Sequence, residues 1–158
     1  MITAENLIAM YARNVLFIKQ LTEGLTHVDS LAQPPVPGNC MNWVMGHIVA
    51  YRNRLSDMLG QPPALDPAIA VRYFRDSKPI ISDEPGLAKL EQLVAAVDVS
   101  QEQLTQGLPK LSADEALKVR AYGPMSMSTA EWVLFLMRHE AYHTGNLELL
   151  REITLAAR

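Results

Sequence analysis

The chain has 158 residues, one cysteine, ten prolines and a formal net charge of -3. That length is one ordinary domain with room for a hydrophobic core, and 49% apolar against 20% charged residues excludes a disordered chain. The slightly acidic balance offers no electrostatic footprint for nucleic acid, and no run approaches the roughly 18 consecutive apolar residues of a membrane helix. Glu5 stands where an export signal would carry its basic region. Cys40 has no internal disulfide partner, so the expected setting is a reducing cytoplasm.

The prolines divide the chain, because proline removes an N–H and clashes with the preceding helical turn. Four proline-free stretches remain: 1–33, 38–61, 86–108 and 125–158. The first opens at Thr3, a good N-cap, and places Leu7, Tyr11, Asn14, Ile18, Leu21 and Leu25 on one helical face. It is expected to fray near Gly24. The second follows Pro37-Gly38, with Asn39 as the expected N-cap. Cys40, Trp43, Val44, His47, Ala50, Tyr51, Arg54 and Met58 run along one side, and Gly60 and Pro62 stop it. The third opens at Asp83-Glu84-Pro85, acidic residues and a proline suited to a helix start, and closes at Gly107-Pro109.

The fourth stretch carries the clearest start signal. Ser128-Thr129-Ala130-Glu131 reads as a capping box, in which serine and glutamate satisfy each other's free N–H groups. The run Trp132–Met137 then leaves no polar face, so that part of the helix is either buried on all sides or a subunit contact. Segments 61–82 and 109–126 are long connections. Leu117–Tyr122 alternates like a short strand, but a single strand cannot make a sheet. The expected architecture is all-α: one domain, a four-helix bundle with long second and third connections.

Two of the four histidines lie four apart, in His139-Glu140-Ala141-Tyr142-His143. Positions i and i+4 of a helix sit one above the other, so both imidazoles can converge on one ion. They share the stripe with Trp132, Leu147 and Leu150 and should face the interior, where an unsatisfied polar group costs about 1–3 kcal/mol. His47, mid-helix and preceded by Gly46, is the third candidate. Gly46 and Gly145 are unusual helix residues, which would allow close helix approach or leave space for a ligand. Three neutral imidazoles leave a coordination position open, as catalytic metal sites do. His27 is expected at the C-terminal end of the first helix, where it would complement the dipole. Cys40 reads as a small buried residue, and with one cysteine the metal site must rest on histidine.

The same five residues fit H-E-x-x-H, in which Glu140 would be the general base of a metallopeptidase. The extended form of that motif wants glycine and histidine where this chain has Asn146 and Leu149, and no edge strand for a peptide is evident. Three segments together resemble the DinB/YfiT family of small metalloenzymes: Tyr11-Ala12-Arg13-Asn14, Asn42-Trp43-Val44-Met45-Gly46-His47, and His139 through Arg151. The last is similar to the family pattern H-x-x-x-H-x-G-Q-L-x-x-L-R, with Asn146 in place of glutamine.

The resemblance implies a four-helix bundle holding a divalent metal, zinc or nickel, through His47, His139 and His143. It also implies a homodimer, in agreement with the apolar run on the last helix. Characterised relatives include thiol-dependent S-transferases and a mycothiol-using maleylpyruvate isomerase. The expected function is therefore a thiol-cofactor-dependent transferase acting on a small-molecule substrate, with a low-molecular-weight thiol as a second cofactor. Glu140, Tyr51 and Arg54 are the candidate catalytic residues for proton handling or anion binding. The alternative is a non-catalytic, stress-associated metal-binding dimerisation module.

Overall fold

The computed structural model describes residues 2–156 and 158. Along the chain run α1 (Ala4–Thr22), α2 (His27–Ser30), α3 (Met41–Met58), α4 (Pro67–Ala70), α5 (Leu90–Gly107), α6 (Ala113–Leu117), strands β1 (Val119–Tyr122) and β2 (Met125–Ser128), and α7 (Thr129–Ala156). Short 3-10 turns follow α4 and α5 at Val71–Tyr73 and Leu108–Lys110. The chain is mostly helical. Among the described residues, the long helices α1, α3, α5 and α7 close a ring of contacts, in which α1 and α3 each touch both α5 and α7.

The helix starts show how local chemistry sets the boundaries. Thr3 caps α1, its hydroxyl accepting from the Asn6 N–H at 3.3 Å while the Asn6 side chain accepts from the Thr3 N–H. The Ser128 hydroxyl accepts from the Glu131 N–H at 3.3 Å, and the Glu131 carboxylate accepts from the Ser128 N–H at 2.8 Å, which is the reciprocal pairing expected of that motif. Cys40, not Asn39, is the N-cap of α3. Helix α5 begins at Leu90 rather than at Asp83-Glu84-Pro85. Gly86 there takes φ +90°, a left-handed conformation through which a right-handed helix cannot run.

Two other expectations are corrected. The segment around Val119–Tyr122 does find a partner: it pairs antiparallel with Met125–Ser128, in register Val119↔Ser128 to Tyr122↔Met125, across Gly123-Pro124. Gly123 at φ +61° supplies the turn. The Trp132 indole donates to the Arg120 carbonyl at 2.9 Å, so the hairpin is tied to the first turn of α7. His27 opens the short α2 instead of ending α1, and its Nε2 lies 3.2 Å from Asp83 Oδ1. The run Trp132–Met137 is not buried on all sides, since Leu134 stays 39% exposed.

Helix α3 is the most enclosed element, with every residue from Met41 to Ala50 buried. The connection 61–82 wraps its outer face, so it has no solvent side to spare. This wrapping explains Gly46. A Cβ placed there would fall inside the Tyr73 ring. Gly46→Ala is expected to cost about 1–3 kcal/mol through overpacking. Gly145, by contrast, has nothing near its missing Cβ. Gly145→Ala is expected to stabilise by about 0.5–1 kcal/mol. Paired thermal melts of the two variants check both signs.

The core forms two apolar clusters. One contains Val15, Ile18, Met45, Ile48, Val97 and Leu147; the other contains Tyr11, Leu55, Leu104, Trp132, Val133 and Leu136. A polar layer lies between them. Arg52 on α3 donates from Nε to Glu140 Oε2 at 2.6 Å and from Nη2 to Glu140 Oε1 at 2.8 Å, which is a bidentate pair to α7. Asn14 on α1 donates to Glu140 Oε1 at 3.1 Å, and Arg52 Nη1 reaches Ser100 Oγ on α5 at 3.1 Å. All four long helices thus contribute to one buried layer.

Candidate metal centre

His47 of α3 and His139 and His143 of α7 come together, with their ligand nitrogens within 4.8 Å of one another. His139 Nε2 is 3.2 Å from His47 Nε2 and 3.2 Å from His143 Nε2. His47 Nδ1 lies 2.7 Å from the Tyr73 carbonyl. That carbonyl can only accept, so Nδ1 carries the proton and Nε2 presents its lone pair to the other two rings. The same Gly46 that admits the Tyr73 ring therefore also places the carbonyl that orients His47. Tyr73 is itself held, its hydroxyl donating to Asn42 Oδ1 at 3.2 Å and accepting from the Ala88 N–H at 2.8 Å.

Proton counting tests whether these residues suit a metal. A single N–H on His139 Nε2 can point at only one neighbour, which leaves the other 3.2 Å contact without a proton between its two nitrogens. His143 Nδ1 is buried without a hydrogen-bond partner. A cation among the three Nε2 atoms satisfies the lone pairs that converge there at once. The two 3.2 Å separations are also close to the edge of about 3.3 Å that a tetrahedral site with bonds of 2.0–2.1 Å would have. The donor set fits a divalent ion that takes imidazole.

Burial keeps these imidazoles neutral. It is the largest cause lowering His47, and it pushes His139 down to about 4 and His143 down to about 3. The neighbouring histidines and, at His139, Arg138 and Arg54 add repulsion. Three rings without protons on their lone pairs are the form that binds metal.

The histidines line a cavity of about 580 Å³ whose walls also include Trp43, Tyr51, Arg54, Phe74, Tyr122 and Phe135. Trp43 stacks on His47, with ring centroids 4.6 Å apart and planes 17° apart. Tyr51 sits 4.7 Å from His47 and 4.6 Å from His139. A larger groove of about 740 Å³ runs between α1 and α5. It is bridged by the Lys19–Asp98 pair at 3.0 Å and contains no histidine, so the chemistry belongs to the smaller cavity.

Of the candidates read from sequence, His47, His139, His143, Tyr51 and Arg54 share this cavity. Glu140 does not. It points away from the histidines, and both its oxygens are taken by Arg52 and Asn14. The helix turns about 100° per residue, which sends Glu140 into the polar layer while His139 faces the cavity. The peptidase reading thereby loses its general base. Cys40 is buried, and burial raises its thiol pKa, so it is not a reactive thiolate.

Sequence reasoning did not find Tyr73, Phe74, Tyr122 or Arg52. Tyr73 and Phe74 lie in the connection after α4 and Tyr122 ends the short strand β1, outside the long helices, where helical periodicity says nothing about direction. Gly46 was the one available signal that another segment must pass close to α3.

A sequence profile described as the DinB superfamily matches residues 17–147. The chain belongs to the DinB superfamily. No curated protein matches it in sequence. In fold it is similar to a conserved protein from Enterococcus faecalis, with a TM-score of 0.73 and 12% identity over 99% of each chain. Two residues of the sequence resemblance that lie outside the matched stretch take up defined places. The Tyr11 hydroxyl donates to the Val133 carbonyl at 2.8 Å, and Arg151 Nη1 donates to the Leu21 and Glu23 carbonyls at the end of α1. No described helix is long and apolar enough to cross a membrane.

Proposed function

We propose that this DinB protein is a metal-dependent enzyme on a four-helix bundle, transferring a low-molecular-weight thiol to a small electrophile. His47, His139 and His143 would hold one divalent ion, zinc or nickel. The observation that supports this reading is the convergence of three neutral Nε2 atoms on a small-molecule-sized cavity walled by aromatic rings. A metal bound there supplies positive charge that lowers the pKa of a coordinated thiol or water. The chain's own residues do the rest. Trp43 and Phe135 pack against the histidine rings and limit water around them. Tyr51 forms the wall between the histidines and Arg54, whose charge faces the same cavity.

The test uses protein purified without a metal-affinity column. Elemental analysis is expected to find about one equivalent of zinc or nickel, and a panel of thiols and electrophiles is expected to show thiol consumption that His139→Ala abolishes. Wild-type protein that stays metal-free and inactive after supplementation with either ion sinks the proposal. The exposed face of α7, which includes Leu134 and Leu149, is where we place the homodimer contact. A sedimentation mass of one chain would remove that part.

A further inference from the structure

We propose that the cavity selects ligands carrying a carboxylate, and that Arg54 receives it. This deepens the reading of the cavity as a substrate site and rests on it. The guanidinium carbon of Arg54 lies 4.4 Å from the Phe74 ring centroid, 4.7 Å from Tyr51 and 5.0 Å from Tyr122. These rings come from three separate segments: α3, the connection after α4, and β1. The cage is therefore a product of the tertiary fold and not of one helix.

Arg54 differs from the other enclosed arginines. Arg52 is spent on Glu140, Arg72 on Glu84 and Arg120 on Glu115, and Arg151 donates to the Leu21 and Glu23 carbonyls. Arg54 has no such ion pair with a described residue. Aromatic rings that cover guanidinium faces hold the cation in place and leave its N–H edge free, and that planar fork matches a carboxylate. The acidic residues nearby do not occupy it. Asp57, three residues further along α3, forms no ion pair with it, and Asp76 pairs with Arg75 at 3.8 Å on the exposed rim.

One unpaired cation among aromatic walls balances one negative charge. Away from the histidines, a phosphate dianion at Arg54 would call for a second cation beside it, and Arg75 there already stands beside an aspartate. Tyr51 touches both His139 and Arg54, so a molecule filling the cavity can have its carboxylate on Arg54 and its reacting atom beside the histidines. The carboxylate belongs either to the thiol or to the electrophile.

The experiment titrates the full chain by calorimetry, once metal-loaded and once with chelator. The probes are benzoate against benzamide, and 3-mercaptopropionate against 2-mercaptoethanol. The carboxylate member of at least one pair is expected to bind more tightly. Arg54→Gln is expected to weaken that member about tenfold or more, with an unchanged far-UV circular dichroism spectrum as the control for folding. Arg54→Lys is expected to restore little, because an ammonium lacks the planar fork. The pair that responds identifies whether thiol or electrophile carries the group.

Carboxylate binding that is equal in wild type and Arg54→Gln overturns the proposal, and so does binding full-strength in Arg54→Lys and Arg54→Gln alike. The chelated arm separates the two readings. An Arg54-dependent carboxylate signal without any metal binding would preserve this inference and defeat the metalloenzyme, whereas metal binding without that signal would do the reverse.

Discussion

Glu140→Ala is expected to cost about 3–5 kcal/mol of folding stability, because it leaves the Arg52 guanidinium buried without its carboxylate. Arg52 is only 2% exposed and Glu140 3%, so water cannot replace the lost partner. The Ser100 hydroxyl and the Val97 carbonyl would remain near Arg52, but neither carries charge. The double variant Arg52→Met, Glu140→Leu should recover much of the loss, since removing both charges removes the desolvation penalty along with the attraction. Urea unfolding checks this through a lower midpoint at an unchanged slope. If Glu140→Ala folds as stably as wild type and loses only turnover, Glu140 is a catalytic base after all and its place in the polar layer has been misread.

The second large effect concerns the histidines. Loss of any one imidazole is expected to weaken metal binding by well over 100-fold, given that loss of a mere orienting partner costs about 10–100-fold. The pH dependence follows from burial. His139 is held down to about 4 and His143 to about 3, and burial lowers His47 as well, so between pH 8 and about 6.5 the ion displaces almost no proton from the three rings and its affinity should stay nearly flat. Below that range it should fall.

The metal-free chain behaves differently. Unfolded histidine takes up protons below about 6.5, while the folded rings refuse them until the pH is far lower. The unfolded state therefore binds more protons, and metal-free stability should decline as pH drops below about 6.5. Competition titrations with a colorimetric chelator, run alongside melts across pH 4–8, test both halves. An affinity that falls steeply between pH 8 and about 6.5 would contradict the burial argument.

The histidine pair on α7 could be placed from spacing alone, and the Ser128 cap fixed where that helix begins. The direction of Glu140 could not. Periodicity says it lies about 100° from His139, but only packing reveals that α1 and α3 offer Asn14 and Arg52 on that side. Similarly, Met125–Ser128 shows no β-branched alternation, and it becomes a strand because Val119–Tyr122 is beside it. The start of α5 was displaced for a local reason: Pro85 would suit a first helical turn, yet Gly86 in a left-handed conformation keeps the chain turning until Lys89.

The polar layer has a further consequence. A purely hydrocarbon core tolerates a helix sliding along its neighbour, since one apolar contact replaces another. Here a slip of one turn would strand a guanidinium among Leu and Val side chains. Arg52 and Glu140 therefore act as a latch that sets the axial alignment of α3 with α7. His139 is the residue next to Glu140, and His47 lies little more than one turn from Arg52. Adjacent residues on one helix thus do separate jobs, one locking the alignment and the other using it. Residues around the cavity mouth can change during evolution to suit new ligands without disturbing how the three imidazoles meet.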